Sequence, residues 1–410
     1  MHRIVGETRD YAWGSRTLLP RFLGRPADGG PHAELWIGAH PGDPARTPDG
    51  STLIDLIEAD PDRVLGAEVA ARFGSRLPFL MKALAAAEPL SLQVHPTSER
   101  ARAGFDRENA AGIAIGSPER SYQDASHKPE LIYALTRFEG MAGFRDVHRT
   151  AEILRALELT WADDVAARLT QDAPADALRS VVADTLAMTA TELAGVLADL
   201  EKAARTAEDR SHRQRPPTTR LHRERTSIER EAVRVHTQTA ALAARYPEDP
   251  GVLVTLLLNH VVLSPGEAMF LDAGVVHAYT SGFGIEIMAS SDNVVRAGLT
   301  PKHVDVHGLL DIADFTPIPP PLCPPRWISE DLVQFSPSVD EFSLFVGRTP
   351  LDALPETGPR IVLVLEGEVD VITDEDAARL VRGESVFVAD DDGGLRVAGS
   401  GRVAVGAVAG

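Results

Sequence analysis

Between Ser264 and His303 the chain reads SPGEAMFLDAGVVHAYTSGFGIEIMASSDNVVRAGLTPKH, and no other stretch limits the fold so tightly. Ser264-Pro265-Gly266 and Asp272-Ala273-Gly274 are turn signals on either side of the apolar run Ala268–Leu271. Val275–Tyr279 follows, then Gly282-Phe283-Gly284, then Ile285–Met288. Short apolar runs broken by Gly and Pro at this spacing predict hairpins in an all-β barrel or sandwich. A His, a Tyr, a Glu, an Asn, an Arg and a Lys are set among these runs. Burying so many polar groups without partners would be costly, so they predict a lined cavity.

The full 410 residues are too many for one ordinary core, and two or three domains are expected. His32–Gly38 alternates like a strand, and residues 77–96 and 127–145 return to strand-like runs. Residues 51–73 and 97–111 carry helical spacing behind Ser51/Thr52 and Thr97/Ser98 caps. From about 146 to 260 the chain changes to Ala, Leu, Glu and Arg at helical spacing, over 148–170, 175–205 and 228–246. Within it, AEDRSHRQRPPTTRLHRERT (207–226) predicts an exposed or mobile loop whose basic run is a solvated linker.

The prolines of 317–325 mark a boundary before a β-rich end, where RGESVFVADDDG repeats the rhythm of SPGEAMFLDAGVVH without its histidine. The expected layout is mainly β with an α insertion. One β unit comprises 1–145 plus 261–318, the helical unit 146–260, and a second, smaller β unit without metal 326–410.

Charge and composition narrow the function. A net charge of −19 argues against nucleic acid as the main partner. No run of about 18 apolar residues predicts a membrane span. MHRIVGETRDYAWG has no apolar core to suggest a secretory leader, and Cys323 is the single cysteine, so a cytoplasmic location and no intrachain disulfide are expected. An anionic substrate would need a locally positive pocket. The chain has only four lysines, at 82, 128, 202 and 302, against 37 arginines, and three of the four stand beside motif residues. An ammonium is a compact charge whose pKa shifts on burial, unlike a guanidinium.

Gln93 and His95 are two apart in a strand and so face the same way. With Glu130 and His277 they would supply two N and two O ligands to zinc or another divalent ion. Spacing alone leaves that reading open against four ordinary structural residues.

SLQVHP, SYQDASHKPE, LDAGVVHAY and GIEIMASSDNVVRAGLTPKHVDV, together with YAWGS and AELWIGAHP, closely resemble the type I mannose-6-phosphate isomerases. The motifs run in the family's order from residue 11 to 306. The resemblance implies a cupin-type barrel or jelly roll and one Zn2+ per chain held by Gln93, His95, Glu130 and His277. It also implies that Arg296 is the catalytic arginine, and a phosphosugar substrate; a monomer is expected.

Isomerisation of mannose 6-phosphate to fructose 6-phosphate moves a proton between C2 and C1 through an enediolate. Glu286, between Ile285 and Ile287, is favoured as the proton shuttle, its pKa raised by an apolar surround. A salt bridge to Arg296 or Lys302 is the structural alternative for it. Lys128 is the rival shuttle, or opens the sugar ring. Lys82, Ser91, Lys302 and Arg296 are expected at the phosphate, although Lys82 could point outward. Trp13 and Tyr279 are expected to wall the pocket, His127 to orient a ligand carboxylate, and Asn293 to shape a turn. Two other classes compete: an iron-dependent cupin oxidoreductase and a sugar-binding cupin without catalysis. The lysines and arginines near the ligand set favour a phosphosugar over dioxygen.

Overall fold

The computed structural model describes residues 1–211, 220–302 and 304–410. The architecture is mainly β sheet with helices. An eleven-stranded sheet and an eight-stranded sheet carry the β structure, and no single helix among the described residues is long and apolar enough to cross a membrane.

The first sheet is organised on the strand His277–Ala289. Its second half, from Gly282, pairs with Phe79–Ala86 on one side and Glu130–Ala134 on the other. Its first half pairs with Phe138–Phe144 and, at His277, with Gln93. The sequence predicts a break at Gly282-Phe283-Gly284, but the strand continues through it. Gly282 has φ 128°, and a Cβ there would stand 2.7 Å from the Phe138 Cα, so only glycine fits. A bulge between Tyr279 and Ser281 precedes it.

Phe79–Ala86 is buried along its whole length, as expected of a central strand in an apolar run, and Lys82 is its only charge. Side-chain alternation gives the sheet two unlike faces. Ile37, Met81, Ala83, Leu131, Ile285 and Ile287 pack against Phe335, Phe342, Leu344, Ile361, Leu363 and Ala404 of the second sheet in one shared core. Trp36, Lys82, Glu130, Glu286 and Met288 alternate with them and look the other way.

In the second sheet the strand Arg360–Ile372 also runs on through a glycine, Gly367, with a register shift between Val364 and Glu366. Its other face is a core of Val362, Val364, Val369, Val371, Val386 and Val388. The turn-and-strand rhythm does recur, in Ala268–Leu271 and Ser385–Val388. His2–Ile4 pairs with Ser385–Phe387, so the first three-residue strand joins this sheet rather than the one that follows it in sequence.

The helical region begins at Val147, earlier helices being the short Leu18–Phe22, Ser98–Ala110 behind the Thr97 cap and three short ones over 53–73 broken at Asp60-Pro61 and Gly66. Helices Ala190–Ser211 and Arg220–Arg245 enter the stretch expected as a loop; residues 212–219, at the centre of that expectation, lie outside the described residues. The region ends earlier than 260, because Leu258–Leu263 is a strand paired with Phe138–Phe144.

Candidate metal centre and cavity

Strand register brings the polar residues together in rows. Trp36, Lys82, Glu286 and Ile132 are successive cross-strand partners, and Glu130 lies opposite Met288. Where the His277–Ala289 strand leans into its other neighbours, Arg296, Gln93 and His277 form another row.

His95, Glu130 and His277 each offer a ligand atom within 4.8 Å of the others, and all three are buried. His95 Nε2 is 3.2 Å from Glu130 Oε1, and His277 Nε2 is 3.6 Å from Glu130 Oε2. His95 Nδ1 lies 2.8 Å from the Asn293 carbonyl, and His277 Nδ1 2.8 Å from that of Val275. A carbonyl accepts only, so each Nδ1 carries the proton and each Nε2 lone pair is left for the centre. His95 Nε2 and Glu130 Oε2 are buried with no hydrogen-bond partner. Buried polar atoms are rarely left so, and a cation between them would satisfy both. Burial, opposed by Glu130, lowers His95 to about 4, so the imidazole is neutral at pH 7 as a ligand must be. Burial would raise Glu130, but His95 and then Lys128 outweigh it, and the carboxyl is held well below its usual range. The donor set fits a zinc-sized divalent cation.

Gln93 stands beside the three, with its amide nitrogen rather than its oxygen turned to His277. Its Nε2 stands 3.2 Å from His277 Nε2, while Oε1 accepts from Ser91 Oγ at 3.2 Å. Ligation through oxygen requires the amide turned over, an exchange of two atoms of nearly equal size.

A cavity of about 510 Å³ opens beside this cluster, and Trp13, Lys82, Ser91, Gln93, Lys128, Glu130, Tyr279, Glu286, Arg296 and Lys302 all line it. His95 and His277 lie behind its wall. The buried Tyr279 hydroxyl has no hydrogen-bond partner of good geometry, and burial and then Glu286 raise it well above its usual value. Lys302 is exposed at the rim and Arg296 is half-buried; neither has a carboxylate partner among the described residues. Burial and the nearby Arg296 lower Lys302.

Two expectations, for the surround of Glu286 and for His127, and two of the alternatives set beside the expectations are corrected. Glu286 is paired with Lys82 at 2.9 Å, not with Arg296 or Lys302. Ile285 and Ile287 do not surround its carboxylate, since they face the second sheet. Burial raises Glu286, Lys82 pulls it down, and Glu130 and Glu34 push it up again, for a net rise. Lys82 does not point outward. It is buried between Glu286 and Glu34 (3.7 Å), whose charges, with Glu130, more than offset burial and hold its ammonium above the usual value. His127 does not orient a ligand carboxylate; its Nε2 is 2.6 Å from Glu341 Oε1 in the C-terminal part of the chain.

Asn293 behaves as a turn-shaping residue. Fully buried, it donates to the Asp124 and Ser126 carbonyls at 2.8 and 2.7 Å, and its own carbonyl holds His95. Sequence reasoning missed Glu34, Trp36 and Arg245. Trp36 Nε1 donates to Glu34 Oε2 at 2.7 Å, and a carboxylate two residues from a Trp in a buried strand was the available signal. Arg245 reaches the cavity from the end of a helix, where nothing in the sequence marks it.

Comparison with known proteins agrees with this geometry. Residues 1–147 match the family described as phosphomannose isomerase type I, catalytic domain. The mannose-6-phosphate isomerase of Salmonella typhimurium is 38% identical, with 98% of each chain covered. That of Escherichia coli is 36% identical, again with 98% of each covered. The crystal structure of the Salmonella typhimurium enzyme bound to substrate and a zinc atom superposes with a TM-score of 0.86 at 36% identity, covering 100% of this chain and 99% of that one. With likeness running the whole length of the chain and the ligand cluster intact, the chain belongs to the type I mannose-6-phosphate isomerase family.

Proposed function

We propose that the chain interconverts D-mannose 6-phosphate and D-fructose 6-phosphate using one zinc ion held by Gln93, His95, Glu130 and His277. The observation that carries this reading is the buried His95–Glu130–His277 cluster, with its unpartnered Nε2 and Oε2, beside a cavity furnished with Lys and Arg. When bound, zinc supplies positive charge that polarises the C1 and C2 oxygens.

The chain's own residues do the rest. Glu286 takes the C2 proton and returns it to C1, while the O2 hydroxyl proton passes to O1 through the enediolate; burial raises the Glu286 carboxyl above its ordinary value, nearer a working base, against the opposing pull of Lys82. Lys128 is 3.3 Å from Glu130 Oε1, so its charge is engaged by a ligand carboxylate, which favours Glu286 as the shuttle. Arg296, a poor base, stabilises the oxygen charge of the enediolate. Lys302 and Ser91 hold the phosphate with Arg296, and Trp13 and Tyr279 wall the sugar. In this reading the first sheet is a cupin-type barrel, the second its smaller counterpart without metal, and residues 146–260 an insertion between strands.

Metal analysis of the purified protein, with an isomerase assay before and after chelation, tests this. About one zinc per chain, with activity lost on chelation and restored by zinc, is the expected outcome. Iron without isomerase activity would point to the oxidoreductase class. Metal-free protein that still bound the phosphosugar would leave a binding module.

A further inference from the structure

We propose that Arg245 is a further substrate-positioning residue, which exchanges its ion pair with Glu88 for the substrate's phosphate. Arg245 is the last residue of the helix Arg220–Arg245, and with Tyr246 it lines the cavity alongside Ser91, Arg296 and Lys302. The same two residues also wall a neighbouring hollow of about 710 Å³, so Arg245 stands where the two spaces adjoin.

It is held there lightly. Its Nη2 pairs with Glu88 Oε2, its Nε is 3.3 Å from Tyr246 Oη, and its Cζ is 5.7 Å from the Tyr246 ring centroid. Glu88 precedes the cavity-lining Pro89 and is fixed by its backbone: the amides of Ala87 and Glu88 both donate to the Trp13 carbonyl, at 3.0 and 3.2 Å.

The side chains of Arg245 and Glu88 are 44% and 38% exposed, and such pairs contribute little. A phosphate dianion offers the guanidinium two parallel charge-assisted hydrogen bonds, a better partner than one exposed carboxylate. In a chain of net charge −19, Glu88, one residue from the cavity lining, would if unpaired repel an incoming phosphate. Paired, the two charges cancel; unpaired, Arg245 adds its charge to those of Arg296 and Lys302. The inference rests on the phosphosugar reading above.

Steady-state kinetics of the zinc-loaded full chain, with inorganic phosphate as competing inhibitor, separates the alternatives. Arg245→Gln should raise KM for mannose 6-phosphate about fivefold to tenfold with kcat within about twofold, and weaken phosphate inhibition by the same factor. Arg245→Lys should recover part of the loss. Glu88→Gln should move both constants the other way, lowering them about twofold to threefold. Unchanged constants in Arg245→Gln would overturn the proposal. So would a Glu88→Gln variant that mimics Arg245→Gln, since the pair would then be a brace. If the wild type showed no isomerase activity, the isomerase reading would fail, and calorimetric titration of wild type and Arg245→Gln with inorganic phosphate would still decide for or against Arg245.

Discussion

The two sheets are built from the same hairpin rhythm and filled in opposite ways. Behind Ala268–Leu271 the first sheet turns Lys82, Glu130, Glu286, His95 and His277 toward one another, all of them buried. Behind Ser385–Val388 the second turns Val362, Val364, Val369, Val371 and Val386. Buried ionisable groups offset their desolvation only when each finds a partner, whereas branched aliphatics need only fit. The first sheet is therefore reactive and costly to fold. The second, packed through Phe335, Phe342, Leu344 and Leu363 onto the back of the reactive strands, stabilises the arrangement.

If that division of labour holds, damage on each side should read out differently. The largest effect is expected from His277→Ala: metal content falls far below one per chain and isomerase activity with it, measured by elemental analysis and turnover. Retained stoichiometric zinc would show that the ligand set is misassigned. Glu286→Gln should lower kcat by about 10²- to 10⁴-fold while zinc content and phosphosugar affinity stay near wild type. Full activity there would remove Glu286 from the chemistry. On the other side, Leu363→Ala should cost about 2–5 kcal/mol of stability in denaturant unfolding, with kcat and KM unchanged well below the melting temperature. A specific loss of kcat in that variant would erase the distinction between the sheets.

The smallest effect belongs to the link between them. The hydrogen bond to Glu341 raises His127 above its ordinary value, and Glu341 is lowered against the opposing effect of burial. For the histidine, the stabilisation is complete below its unfolded pKa near 6.5 and is lost as pH rises through the raised value. For Glu341 it is present above the usual carboxyl range and lost as pH falls through the lowered value. Wild-type stability should thus exceed that of His127→Gln by about 0.5–1 kcal/mol between these limits, and the difference should shrink on both sides. A pH-independent difference would mean the contact is packing, not charge.

Local patterns are the legible part. The Thr52 and Thr97 caps, the central strand around Lys82 and the alternation in Glu34–Gly38 follow from short-range rules, and the structure has them. The His277–Ala289 strand is harder to read, because glycines with Phe between them normally end a strand. Pairing on both sides carries it through. The wider surroundings of Glu286 are hidden for a related reason: sequence neighbours Ile285 and Ile287 lie on the opposite face, while Lys82 comes from 204 positions away. His127–Glu341 and Arg245–Glu88 span 214 and 157 positions, and no periodicity reports such meetings. The ligand set itself came from resemblance of motifs, not from spacing.

The bulge between Tyr279 and Ser281 has a consequence in parity. His277 and Tyr279 are odd-numbered and Glu286 and Met288 even-numbered, so an unbroken zigzag would send the ligand and the carboxylate to opposite faces. The extra residue at the bulge resets the phase, and Gly282 lets the strand press against Phe138 while it does so. His277, Tyr279 and Glu286 thus face the same side of the sheet because the strand miscounts by one, and Tyr279 and Glu286 line one cavity with Glu130, the neighbour of His277. Between His277 and Glu286 a single inserted or deleted residue would put the imidazole and the carboxylate on opposite faces of the sheet.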